Sequence, residues 1–201
     1  MAKSKTLTPT GYRPRLLEKR LDSLMEAFGC VEINGPKWCG KTWTAMSRSA
    51  SITKLDNPSE CEAAELDPAL ALLGDTPHLV DEWQEVSEVW DAARRFVDDS
   101  GNQRGLLLLT GSTALKKEDR DKVRHSGAGR IARLTMRPMT LCESGDGEAT
   151  VSLSALFEGK DIKPARRETG IFDVARWCCR GGWPANLGLS DEAASETAAQ
   201  Y

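Results

Sequence analysis

The chain has 201 residues, of which 40% are hydrophobic and 28% charged; this globular balance excludes wholesale disorder and is enough for one buried α/β core. A net charge of −3 and an isoelectric point near 5.6 argue against a general nucleic-acid coat protein, leaving room only for a local basic face. No apolar run approaches the roughly 18 residues that span a bilayer, and residues 1–12 lack the apolar centre of a signal peptide.

A cytoplasmic protein with reduced thiols is therefore expected. The six cysteines (Cys30, Cys39, Cys61, Cys142, Cys178, Cys179) show no C-x-x-C spacing, so a zinc site is not predicted. Vicinal Cys178-Cys179 reads as two small buried hydrophobes on a helix.

Residues 1–14 are polar and predicted to be a disordered tail. Leu17, Leu21, Leu24, Met25 and Phe28 then recur at helical spacing, with Gly29 as a stop. Cys30-Val31-Glu32-Ile33 reads as a short strand. It runs into Gly35-Pro36-Lys37-Trp38-Cys39-Gly40-Lys41-Thr42, which fits the Walker A pattern G-x-x-x-x-G-K-S/T without a mismatch. That spacing lets backbone N–H groups wrap a phosphate chain, which only glycine permits at so close an approach. Lys41 is placed to reach the β- and γ-phosphates, and the Thr42 hydroxyl to complete the shell of a bound Mg²⁺. From Lys41 to Ser47 no Gly or Pro intervenes, so a helix can open there and aim its N-terminus at the phosphates. Trp38 can stack on a base, but packing against the core is the expected role.

A strand over 51–55 closes on Asp56-Asn57-Pro58, and 59–73 is helical with an interruption at Asp67-Pro68. His78-Leu79-Val80-Asp81 is a brief apolar strand ending in the pair Asp81-Glu82. At the carboxyl end of a strand both carboxylates can border a ligand crevice, Asp81 to hold Mg²⁺ and Glu82 to polarise water (Walker B). Gln84 can orient that water or make a plain structural bond. A helix over 85–97 presents Val86, Val89, Trp90, Ala93 and Val97 on one face. The run 105–109 is apolar on both faces, as a central parallel strand requires. Thr110-Gly111-Ser112 closes it, a charged loop follows over 113–129, and 130–136 is the last strand. The alternation predicts an α/β fold, the parallel sheet of a P-loop NTPase with helices on both faces. A composition shift at 144–147 marks the edge of the core. The expected domains are thus 15–144, the ATPase core, and 145–201, a linker with the helical start of an incomplete second domain.

Taken in order, several pieces resemble the prokaryotic AAA-type P-loop ATPases that carry an uncharacterised conserved domain after the ATPase core. They are Tyr12-Arg13-Pro14-Arg15, the loop 35–42, Asp81-Glu82-Trp83-Gln84, Leu109-Thr110-Gly111-Ser112, the 125–130 and 137–139 segments, and Gly181-Gly182-Trp183-Pro184. The resemblance implies a sheet with an extra strand between the phosphate-loop strand and the carboxylate strand. It also implies a polar sensor at Ser112, with Thr110 as the alternative, and ATP as the nucleotide. In that family the Gly-Gly-aromatic-Pro motif opens a long domain, whereas this chain stops at Tyr201, so a fragment or truncated frame is expected.

Residues 116–137 hold eight Lys/Arg against three acids, a local excess of +5. The small, flexible segment 125–130 can deliver an arginine to a γ-phosphate. Arg130 is the first candidate and Arg133 the second, from the same chain or from an adjacent subunit of a homo-oligomer; a solvated, salt-bridged loop or a nucleic-acid phosphate contact would explain the same charge. No aromatic side chain lies between Thr113 and Met139, so a base-stacking platform for nucleic acid is not indicated there. The leading expectation is an Mg²⁺-dependent ATPase with ATP as ligand. The alternatives are an ATP-dependent switch that docks a further domain or protein partner, and a small-molecule kinase.

Overall fold

The computed structural model describes residues 6–112, 127–161 and 168–200. Most of the basic stretch, including Lys116, Lys117, Arg120, Lys122 and Arg124, lies outside the described residues. The chain forms two compact units, Met1–Arg137 and Pro138–Tyr201. The first therefore ends seven residues before the expected edge at 144. Met139 N–H already donates to Gly182 O at 2.7 Å within the second unit.

The first unit is built on a parallel sheet. Among the described residues its strands are β1 (Cys30–Gly35), β2 (Ser51–Lys54), β3 (His78–Asp81), β4 (Leu107–Ser112) and β5 (Ile131–Thr135), in the order β2-β3-β4-β1-β5. The extra strand is where the family resemblance put it: β4 separates the phosphate-loop strand β1 from the carboxylate strand β3. Leu107, Leu108 and Leu109 are fully buried, because a strand flanked on both sides and covered on both faces meets no water. The register pairs Gly35 with Ser112 and Asp81 with Thr110, so these candidate residues gather at the carboxyl ends of three adjacent strands.

Helices α1 (Glu18–Ala27), α2 (Lys41–Met46), α3 (Pro58–Leu66) and α4 (Val89–Asp99) accompany the sheet. The expected face of α4 is the buried one: Val89, Trp90, Ala93 and Val97, with Val86 just ahead of it. The α-helix starts later than the periodicity suggests, since Trp83–Val86 forms a 3₁₀ turn first. The expected break at Asp67-Pro68 is also present. Asp67 accepts from the Ala69 N–H at 3.0 Å and starts a 3₁₀ turn, Pro68–Leu72. Gly29 acts differently from a left-handed stop: a Cβ there would sit 2.5 Å from Val97 Cγ1, so it is bare because α4 packs against it.

The described part of the N-terminal segment is not a disordered tail. Leu7 N–H donates to Ser49 O at 2.9 Å, and the Tyr12 hydroxyl reaches Glu18 at 2.6 Å and Thr44 at 3.2 Å. These bonds fasten residues 7–12 to α1, to α2 and to the turn that follows α2.

The second unit holds α5 (Leu141–Ser144), α6 (Leu153–Phe157), α7 (Ile171–Arg180) and α8 (Asp191–Ala199), with a 3₁₀ turn at Pro184–Gly188. Asp146 is its polar hub, accepting from the Trp177 indole at 3.1 Å and pairing with Arg180 at 2.5 Å. The Arg180 guanidinium holds the Asp146 carboxyl below its usual range. Cys178 and Cys179 are exposed on α7 rather than buried, because the helix turns that face to solvent. No helix of the described residues is long and apolar enough to cross a membrane.

Candidate functional site

The phosphate-loop motif occupies the turn between β1 and α2. Gly35 has φ 151°, and a Cβ there would lie 2.2 Å from Met136 O, so only glycine fits. Gly40, at φ 100°, turns the chain into α2. Between them Cys39 buries its thiol, while Pro36 is half-buried and Lys37 exposed. Trp38 corrects an expectation: it stands at φ 62° and is 59% exposed, so it does not pack into the core. A left-handed backbone at an aromatic residue is uncommon and strained, and here it turns the indole outward at the loop. Lys41 is buried, and its Nζ donates to the carbonyls of Gly35 at 3.1 Å and Pro36 at 2.9 Å. The ammonium is thus folded back against the loop it follows.

Across from the loop, β3 ends in the carboxylate pair. Asp81 Oδ1 accepts from the Thr42 hydroxyl at 2.9 Å and from the Thr110 hydroxyl. Burial pushes the Asp81 carboxyl up. The two hydroxyls offset this in part, and the charges of Glu82 and Asp56 add to the rise. A buried carboxylate short of positive charge, joined to a hydroxyl, is an all-oxygen donor set that fits a hard divalent cation such as Mg²⁺. Glu82 sits at φ 54°, the left-handed turn that brings its side chain round from the strand direction. Its carboxylate accepts from Gln84 Nε2, which also lies 3.4 Å from Ser112 Oγ. The two hydroxyls at the end of β4 therefore divide their work: Thr110 serves Asp81, and Ser112 lies with Gln84 and Glu82.

The arginines are not brought to this place. Arg130 O accepts from Cys30 N–H at 3.1 Å, which sets Arg130 beside the amino end of β1. At about 3.3 Å per strand residue it is roughly 16 Å from the loop end of that strand. Its Nε pairs instead with Asp98 at 2.7 Å. The structure thus does not bring Arg130 to the loop of its own chain. Arg133 is committed as well: its Nε is 3.0 Å from Glu32 Oε2, and its guanidinium lies 4.8 Å from the Trp90 ring centroid. Glu32 is a buried carboxylate in the middle of β1, raised by burial and drawn back by Arg133 and by the Trp83 indole, which donates at 3.2 Å. Trp83 and Trp90 meet with ring centroids 5.1 Å apart. Sequence reasoning missed Glu32 and Arg15. The available signals were a lone charge inside the apolar strand 30–33 and the basic motif 12–15.

The family described as "AAA domain" matches residues 28–144, more than half of the chain. The chain belongs to the AAA domain family. Its fold is that of a P-loop AAA-type ATPase, and the family match takes in the loop, Asp81, Glu82 and Ser112. No curated protein sequence matches the chain. Among solved structures, it is similar to AMPPCP-bound DnaA from Aquifex aeolicus, at 9% identity and a TM-score of 0.44, covering 86% of this chain and 57% of that one. It is also similar to the replication initiator DnaA bound to AMPPCP and single-stranded DNA, at 10% identity and a TM-score of 0.44, covering 94% of this chain and 61% of that one. The chain therefore spans less than two thirds of either protein.

Proposed function

We propose that this AAA domain binds ATP and hydrolyses it to ADP and phosphate with Mg²⁺. The observation that carries this is the meeting of loop and carboxylate strand, where Thr42 Oγ1 and Asp81 Oδ1 lie 2.9 Å apart with Glu82 next in the chain. Loop residues 35–42 would cradle the phosphates, and the Lys41 ammonium would exchange its two carbonyl acceptors for phosphate oxygens. Thr42 and Asp81 would hold Mg²⁺, which when bound supplies charge neutralisation to the phosphate oxygens. Glu82 would accept the proton of the attacking water, with Gln84 and Ser112 fixing its orientation. An arginine completing the charge clamp would come from a neighbouring copy, Arg130 first.

A second reading is an ATP-dependent switch without appreciable turnover. It is favoured by the bond that Gln84 makes to Glu82 and by the engagement of Lys41 with the loop carbonyls. Chromatography of γ-labelled ATP separates the readings. Free phosphate without acceptor indicates an ATPase, bound but unchanged ATP a switch, and a labelled acceptor a kinase. In a fluorescent-ATP titration Lys41→Ala should lose about tenfold or more in affinity, matching the roughly 1.5–3 kcal/mol of a charged hydrogen bond. Equal affinities would reject the assignment of the loop.

A further inference from the structure

Arg15 belongs to no part of the phosphate-loop motif, yet it is buried beside it. Its guanidinium spans two backbone carbonyls: Nη1 donates to Cys39 O at 2.7 Å and Nη2 to Arg137 O at 2.8 Å. The arginine is itself anchored. Its backbone N–H donates to Glu18 Oε1 at 2.7 Å, and Glu18 also takes the Tyr12 hydroxyl and pairs with Arg48 at 2.9 Å. Met136, one residue before Arg137, faces the loop on two counts. Its carbonyl lies where a Gly35 side chain would be, and 3.9 Å from Cys39 Sγ.

Peptide planarity gives the contact its consequence. In a trans peptide the C=O and the following N–H point in opposite directions. By holding Cys39 O, Arg15 directs the Gly40 N–H away from itself. Gly40, at φ 100°, has no side chain to resist rotation of that peptide, so the joint depends on contacts from outside the loop to hold it. A planar fork carrying two donors suits this task better than a flexible ammonium.

The geometry points to Arg15 as a positioning residue of the phosphate loop. It locks the Cys39–Gly40 peptide against the end of β5, so that the loop amides are set for a polyphosphate before one arrives. This rests on the nucleotide-binding reading above. Arg15 acts through the loop backbone, and its removal should weaken binding of the phosphate chain without altering Glu82.

The test is titration of the full chain with fluorescent ATP, reading the dissociation constant and the number of sites separately. Arg15→Ala should weaken affinity about tenfold with the number of sites unchanged, and Arg15→Lys, which keeps the charge but not the fork, should fall between it and the wild type. Amide hydrogen exchange at residues 39–41 should speed up in the same order. Arg15→Lys keeps the inference testable if Arg15→Ala does not fold. Wild-type affinity in the folded variants would overturn the inference while leaving the function intact. A drop in the number of sites at unchanged affinity would also overturn it, by reducing Arg15 to a folding role. Failure of the wild type itself to bind ATP would instead reject the nucleotide-binding reading.

Discussion

The two units of the chain handle their apolar side chains in opposite ways. In the sheet unit Val31, Ile33, Leu79, Val80 and the run Leu107, Leu108, Leu109 are all fully buried. In the second unit Phe157 is 91% exposed, Phe172 86% and Ile171 75%, and its order comes from local polar contacts: the Asp146 hub and the Ser152 and Ser190 caps. Burial at about 25 cal/mol per Å² accumulates into a rigid scaffold, whereas a cap contributes only about 1 kcal/mol. Precise chemistry is built on the scaffold that burial makes rigid. Side chains such as Thr42, Asp81 and Thr110 meet within hydrogen-bond distance because the helix and the two strands that carry them are locked by a core.

The largest contrast between the two units is expected in turnover. Glu82→Gln should lower ATP hydrolysis by about 10²–10⁴ while ATP still binds, since shape is kept and the base is lost. Phe172→Ala, measured in the same phosphate-release assay, should leave the rate unchanged. Normal turnover in Glu82→Gln would remove Glu82 from the mechanism.

Stability separates the units by a smaller margin. Leu79→Ala opens a cavity in the sheet and should cost about 2–5 kcal/mol in urea unfolding, against roughly 0.5 kcal/mol or less for the exposed Phe172→Ala. Equal losses would mean that Phe172 is buried against something in solution.

The smallest effect concerns Asp81, a carboxylate that burial in the core makes uncomfortable. Burial raises Asp81, so the folded chain holds that proton more tightly than the unfolded one. The site's contribution to stability is therefore largest at low pH and falls as pH rises through the interval above the ordinary aspartate value of 3.8. Asp81→Asn keeps an acceptor for Thr42 and Thr110 and sheds the charge. Near neutral pH it should melt roughly 2–4 °C higher than the wild type without ligand, and it should lose Mg²⁺-dependent tightening of ATP binding. A lower melting temperature would show that the hydroxyl bonds outweigh the desolvation.

Much of the sheet unit was legible because its signals are local. The double-sided apolar run at 105–109 declared a central strand, the Asp67-Pro68 break declared itself by capping chemistry, and the spacing of 35–42 defined the loop. The burial of α4 followed from helical period alone. The residues that the sequence left open were those whose fate depends on partners far along the chain. Arg130 and Trp38 look alike as candidates in sequence: each is a large side chain in a flexible, glycine-containing stretch. Only strand register sends Arg130 to the amino end of β1, where Asp98 meets it, and only the backbone of the folded loop turns Trp38 outward.

What the sequence determined by itself is the order and kind of the main elements, together with the candidate phosphate loop 35–42 and the candidate Asp81-Glu82 pair. These rest on period, spacing and turn chemistry within a few residues. What only the tertiary structure decided is which groups meet. Thr110 rather than Ser112 bonds Asp81, Arg133 neutralises Glu32, and Arg15 reaches Cys39 across 24 residues and Arg137 across 122. Such meetings are set by parallel register and close packing, which no local run of residues encodes.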